Sequence, residues 1–167
     1  MGAAVRQVHG YSALQIVLRW TIAALIVFQL LVNEGMQDAF DDRLDCESIR
    51  DMDAAMLHVV AGLTVLALAM IRLVIRLVRG VPRPPAGNPA ILTWIGSVTH
   101  LLLYGFIFLM PITGAVAWFG GIELSAELHE RGRLVLIPLI GLHALDGLAE
   151  HFVFRNDTLV RMLVPRR

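Results

Sequence analysis

The chain of 167 residues is 57% hydrophobic and 17% charged, with a mean hydropathy of +0.69. That excludes a water-soluble domain with an ordinary polar surface and makes the lipid bilayer the expected solvent and partner. Acidic and basic residues balance at a formal net charge of zero, so nothing in the charge calls for nucleic acid.

Residues 1–10 lack the short apolar core and small-residue cleavage site of a secretory signal, so the first apolar stretch is expected to be retained. A spanning helix needs about 20 mostly apolar residues to cross about 30 Å of hydrocarbon. Four segments meet that need, at roughly 11–32, 54–78, 91–119 and 129–154. They predict an all-α, up-down four-helix membrane bundle in one domain covering 1–167, with no internal repeat, low-complexity tract or appended soluble domain.

The first segment is apolar except for Arg19. The connection that follows, 33–53, carries Glu34, Asp38, Asp41, Asp42, Asp45, Glu47, Asp51 and Asp53 against Arg43 and Arg50. The second segment is uncharged from Ala54 to Ile71 and then meets Arg72, Arg76 and Arg79. A Pro-rich connection, with Arg79 and Arg83, leads to the third segment, which has no Asp, Glu, Lys or Arg from Ile91 to Phe119. The fourth is interrupted by Asp146 and Glu150, and a tail with Arg155, Arg161, Arg166 and Arg167 ends the chain. Arginine-rich connections mark the cytoplasmic side, so both termini are predicted to be cytoplasmic; Arg131 and Arg133 run against that count. Pro111 and Pro138 fall inside the third and fourth segments, where membrane helices tolerate proline and kinks are expected.

The interior polar residues carry the chemistry. His58, His129 and His143 lie near or within apolar helices, where an unpaired imidazole is costly. His129 and His143 are fourteen residues apart, which on one helix returns nearly to the same face about 21 Å further along. His58 and His129 stand at comparable depth, so the two imidazoles are candidates to ligate one iron from opposite sides, with Gly62 leaving room for a flat macrocycle. Bis-imidazole ligation leaves iron without an open position, which suits electron transfer. Polar packing between helices is the alternative for each histidine. The single cysteine, Cys46, and the absence of a C-x-x-C-H motif exclude a disulfide framework and covalently held c-type haem.

His143 has Arg19 at its depth on the first segment, and a guanidinium offers donors but no lone pair to a metal. Arg19 is expected to pair with Asp146 or Glu150, with the direct or water-mediated Arg19–Glu150 pair favoured, to contact a propionate or anionic substrate, or to reach the inner headgroups. His143, Asp146 and Glu150 share one helical stripe. His100 is expected first to donate to a propionate, then to pack, and last to ligate. His9 and His151 are read as solvated, and Trp20, Trp94 and Trp118 as interfacial anchors or haem-edge packing.

Tyr11-Ser12-x-Leu14-Gln15-Ile16 with Arg19-Trp20, His58-x-x-x-Gly62 with Arg72, His100-x-x-x-Tyr104, Met110-Pro111-x-Thr113-Gly114, His129-Glu130, Gly141-Leu142-His143 and His151-Phe152 together resemble the bacterial cytochrome b561 family. These are four-helix di-haem b-type membrane cytochromes, and the resemblance runs from Tyr11 to Arg167. It implies an outer haem held by His58 and His129. It also implies an inner haem held by the position of His143 and a first-helix histidine, where this chain has Arg19. Glu150 stands where the family usually has a histidine near its inner quinone-reactive face. The expected function is therefore transfer of electrons by haem b at the outer side, exchanged with a redox protein, ubiquinone or superoxide. The inner haem site is expected to be lost. The competing expectations are an accessory or anchoring subunit of a larger respiratory or photosynthetic membrane complex, and a haem-free scaffold.

Overall fold

The computed structural model describes residues 10–33, 35–80 and 89–165, excluding the side chains of residues 158 and 161. The expectations placed on His9, Glu34, Arg83, Arg166, Arg167 and the Arg161 side chain fall outside what is described.

Six helices appear among the described residues: α1 (Ala13–Leu31), α2 (Met36–Leu44), α3 (Met52–Arg79), α4 (Ala90–Gly120), α5 (Glu123–Phe152) and α6 (Thr158–Leu163). Four of them, α1, α3, α4 and α5, are long and apolar enough to cross a membrane. This is the predicted all-helical bundle. An even number of crossings returns the chain to its starting side, and the Trp20 indole N–H donates to the Met162 carbonyl at 3.1 Å, joining the beginning of α1 to α6.

Local chemistry sets the helix ends. Ser12 opens α1 with a capping box: its hydroxyl accepts from the Gln15 amide at 3.3 Å while the Gln15 side chain accepts from the Ser12 amide at 3.0 Å. Asp51 caps α3 by accepting from the Ala54 amide at 3.0 Å. Between α4 and α5 only Gly121 and Ile122 intervene, and Gly121 makes the reversal in the left-handed region at φ 63. That tight link makes α4 and α5 antiparallel neighbours. Elsewhere α3 packs on α1 and α4, and the bundle's close contacts run in the order α1, α3, α4, α5.

The helices depart from the sequence reading at the start of α5 and within the acidic connection. The last long helix begins at Glu123 rather than 129, because the polar turns around Glu123 and Glu127 are helical although too hydrophilic for hydropathy to register. With 30 residues it is about 45 Å long, more than the hydrocarbon alone requires. The acidic connection also contains a helix, α2, whose Ala39 and Phe40 are buried with Ala55, Val59, Ala117 and Trp118. Arg50 clamps this segment from the following turn. Its Nε and Nη2 donate to the two oxygens of the buried Asp42 carboxylate at 3.1 and 3.0 Å, and its amide donates to Oδ2 at 3.2 Å. The cationic fork holds the Asp42 carboxyl below the ordinary carboxylate range.

Candidate functional site

His58 lies six residues into α3 and His129 six residues into α5. Each is thus about 9 Å from its helix start at the same end of the bundle. Between them lies a cavity of about 920 Å³ lined from α1, α2, α3, α4 and α5, at the upper end of cofactor-sized sites. The two imidazole centres are 6.1 Å apart and their planes meet at 77°. A metal with an imidazole nitrogen about 2.0 Å away on either side needs ring centres about 6 Å apart, so this spacing fits a shared iron.

The surroundings bias the ring protons. His129 Nδ1 lies 2.7 Å from the Met110 carbonyl and 3.3 Å from the Thr113 hydroxyl. A proton on Nδ1, donated to that carbonyl, leaves the Nε2 lone pair free for a metal. Thr113 is itself held by donating to the Leu109 carbonyl at 2.8 Å. His58 Nδ1 is buried without a hydrogen-bond partner, and the Val32 backbone faces it outside hydrogen-bond geometry. A proton on His58 Nδ1, turned toward the Val32 backbone, would leave the Nε2 lone pair free as at His129.

Glycines of α4 and α3 leave room at the site. A β-carbon at Gly114 would stand 3.0 Å from His129 Cε1, and one at Gly62 would stand 3.1 Å from Gln29 Nε2. Gly62 lines the cavity as expected, yet the group nearest to it is the Gln29 amide, which donates to the His58 carbonyl at 2.9 Å. Gln29 and the α2 residues Met36 and Phe40 belong to this wall and carried no sequence signal of their own. Trp118, read from sequence as an interfacial anchor or haem-edge side chain, is 4% exposed; it lines the cavity and lies beneath the Arg43 guanidinium at 5.2 Å.

The family model described as prokaryotic cytochrome b561 matches residues 10–165. The chain belongs to the prokaryotic cytochrome b561 family. It is also 34% identical over 165 residues to a cytochrome b562 of Cereibacter sphaeroides, covering 96% of this chain and 99% of that protein. It is 28% identical over 180 residues to a probable superoxide oxidase CybB of Yersinia pestis, covering 94% of this chain and 97% of that one. As a membrane cytochrome of this family it uses haem b.

The other half of the cytochrome b561 bundle is built differently. His100 and His143 are in edge contact with ring centres 4.8 Å apart, too close for a metal between them, and His100 Nδ1 is bound to the Gly96 carbonyl at 2.7 Å. His143 Nδ1 is buried without a hydrogen-bond partner. Asp146 sits over Gly96, within electrostatic range of Glu150 and His100. Arg19 stacks on Tyr11 at 4.9 Å and lines a recess of about 20 Å³ with Gln15, Arg72, Arg76 and Tyr104. Such a recess has room for about one water. His143 therefore has no facing ligand on α1, and its near neighbour His100 does not fit as one.

The ion pairs formed among the described residues are Arg50–Asp42 and Arg131–Glu127. The expected pairing of Arg19 with Asp146 or Glu150 is not among them. The packing order explains this, since α1 lies on α3 while α5 lies on α4.

Proposed function

We propose that this cytochrome holds one haem b, in the cavity between His58 and His129, and exchanges single electrons at that end with a positively charged redox protein. The 6.1 Å spacing of the two imidazoles across a cofactor-sized cavity carries the reading. Bound there, held by His58 and His129, the haem would supply a one-electron couple. The protein's part is to present two Nε2 lone pairs, to hold the His129 ring through Met110 and Thr113, and to exclude water with α2 and Trp118. Arg133, on the cavity wall, offers a cation for a propionate.

The mouth of the cavity favours a cationic partner. Asp41, Asp45, Glu123 and Glu130 border it as exposed side chains, Glu127 is paired with Arg131, and Arg133 is the basic residue among them. Such a rim attracts a basic protein and repels a small anion such as superoxide. The superoxide chemistry named for the Yersinia relative is thus less favoured than protein electron transfer. The arginines Arg72, Arg76, Arg79 and Arg155 at the other end support placing the acidic mouth on the periplasmic side of the inner membrane.

The test is a pyridine haemochrome assay on the purified chain together with stopped-flow oxidation by a basic c-type cytochrome. One haem per chain, and a bimolecular rate that falls steeply with added salt, are expected. Two haems per chain, or a rate indifferent to salt with faster reaction toward superoxide, would replace this reading by a two-haem or superoxide-linked one.

A further inference from the structure

Three guanidinium groups gather where no carboxylate among the described residues forms an ion pair with them. Arg19 comes from α1, and Arg72 and Arg76 from successive turns of α3. Arg72 Nε donates to the Tyr104 hydroxyl at 3.1 Å, and Arg76 lies 4.9 Å from the centre of the same ring. Arg19 lies over Tyr11, and its Nη1 is buried with no hydrogen-bond partner. Arginine does not shed its proton to relieve crowding, so an orphaned N–H and a local excess of positive charge call for an anion.

Depth and size narrow the choice. Arg19 is six residues into α1 and Arg76 three residues from the end of α3. The cluster therefore lies within about 10 Å of the helix ends on the side of the chain termini. Trp20 and Trp94, 50% and 63% exposed, flank the same end as an aromatic belt does at a headgroup boundary. The recess of about 20 Å³ admits an oxygen or two of a tetrahedral anion and excludes a macrocycle. Basic pockets between spanning helices at headgroup level suit phosphodiester groups, which accept from several guanidinium forks at once.

We propose that Arg19, Arg72 and Arg76, with the Tyr11 and Tyr104 rings, form a binding site for the phosphate group of an anionic phospholipid in the leaflet at the terminal end of the bundle. A lipid with two phosphates matches three arginines better than one with a single charge. This site is independent of the cavity between His58 and His129, so haem content there reports separately on the proposed function.

The test is native mass spectrometry of the holoprotein released from phosphatidylcholine nanodiscs with and without cardiolipin, paired with thermal unfolding. Wild type is expected to keep cardiolipin adducts and to unfold at higher temperature with that lipid. Arg19→Gln and Arg72→Gln should each weaken binding roughly fivefold while leaving the Soret band of the haem unchanged. Arg131→Gln, at the opposite end, should bind as wild type does. Equal cardiolipin binding by wild type and the triple Gln variant would overturn the site. So would complete displacement of the lipid by millimolar inorganic phosphate, which would make the ligand a free anion. Loss of a second haem in Arg72→Gln would also overturn it, since the anion would then be a propionate.

Discussion

Gly114 of α4 makes room for the imidazole of His129 on α5: a β-carbon there would come within 3.0 Å of Cε1 and 3.1 Å of Nδ1. The ring is already held at Nδ1 by the Met110 carbonyl, also of α4, so it cannot move away from that helix without giving up that bond. Gly114→Ala should therefore displace the ring, broaden the low-spin absorption of the haem and cost about 1–3 kcal/mol, as overpacking does. A β-carbon at Gly105 of the same helix would meet nothing within 4 Å. Gly105→Ala should keep the spectrum and stabilise the helix by about 0.5–1 kcal/mol. Thermal unfolding followed at the Soret band separates the two.

His58→Ala or His129→Ala should each lower the haem retained through purification by more than about tenfold, since even the partners of metal ligands are worth that much. Residual haem should be five-coordinate and high-spin. Retention of a six-coordinate low-spin spectrum in either variant would show that other side chains ligate.

His143→Ala should leave haem stoichiometry and the visible spectrum as in wild type, because the ring faces His100 at 4.8 Å and has no opposing ligand. A loss of half the haem would count against a single site. The same preparation gives the answer by pyridine haemochrome.

The fork between Arg50 and Asp42 makes the α2 segment sensitive to acid. The Asp42 carboxyl is held below its ordinary value, first by the side-chain hydrogen bonds from Arg50 and then by the Arg50 amide. Its contribution is thus complete above the unfolded value of about 3.9 and is lost as the pH falls through the lower folded value. The Arg50 amide, bound to Asp42 Oδ2, should be protected from hydrogen exchange at neutral pH and should lose that protection under stronger acid than an ordinary carboxylate needs. Asp42→Ala, which removes the acceptor, should lack the protection at every pH, read by exchange mass spectrometry after correction for intrinsic rates.

The sequence displayed the spans and the facing histidine pair because hydropathy and histidine spacing are one-dimensional signals. His58 and His129 stand out against apolar neighbours, and their equal depth follows from helix geometry alone. Helix α2 did not stand out, since its apolar Met36, Ala39, Phe40 and Leu44 are diluted by Asp38, Asp41 and Asp42; the three- and four-residue spacing of those apolar side chains was the signal available. The contribution of Gln29 depends on which neighbour α1 chooses, and the same choice turned Arg19 toward Tyr11 and Arg72 instead of toward the acids of α5. Charge pairing between helices requires knowing the order of packing, which composition does not contain.

The two histidines proposed to hold haem, His58 and His129, ride on helices that are not immediate neighbours in the packing order. His58 leaves the ribosome early, while His129 arrives only after the α4–α5 turn has been made, so α1 to α3 must await their counterpart with an open groove. Capture of a haem between them would then be a late event in biogenesis. Haem held as proposed would join the early part of the chain to the late part through the two imidazoles, a clasp for the bundle as well as its redox centre.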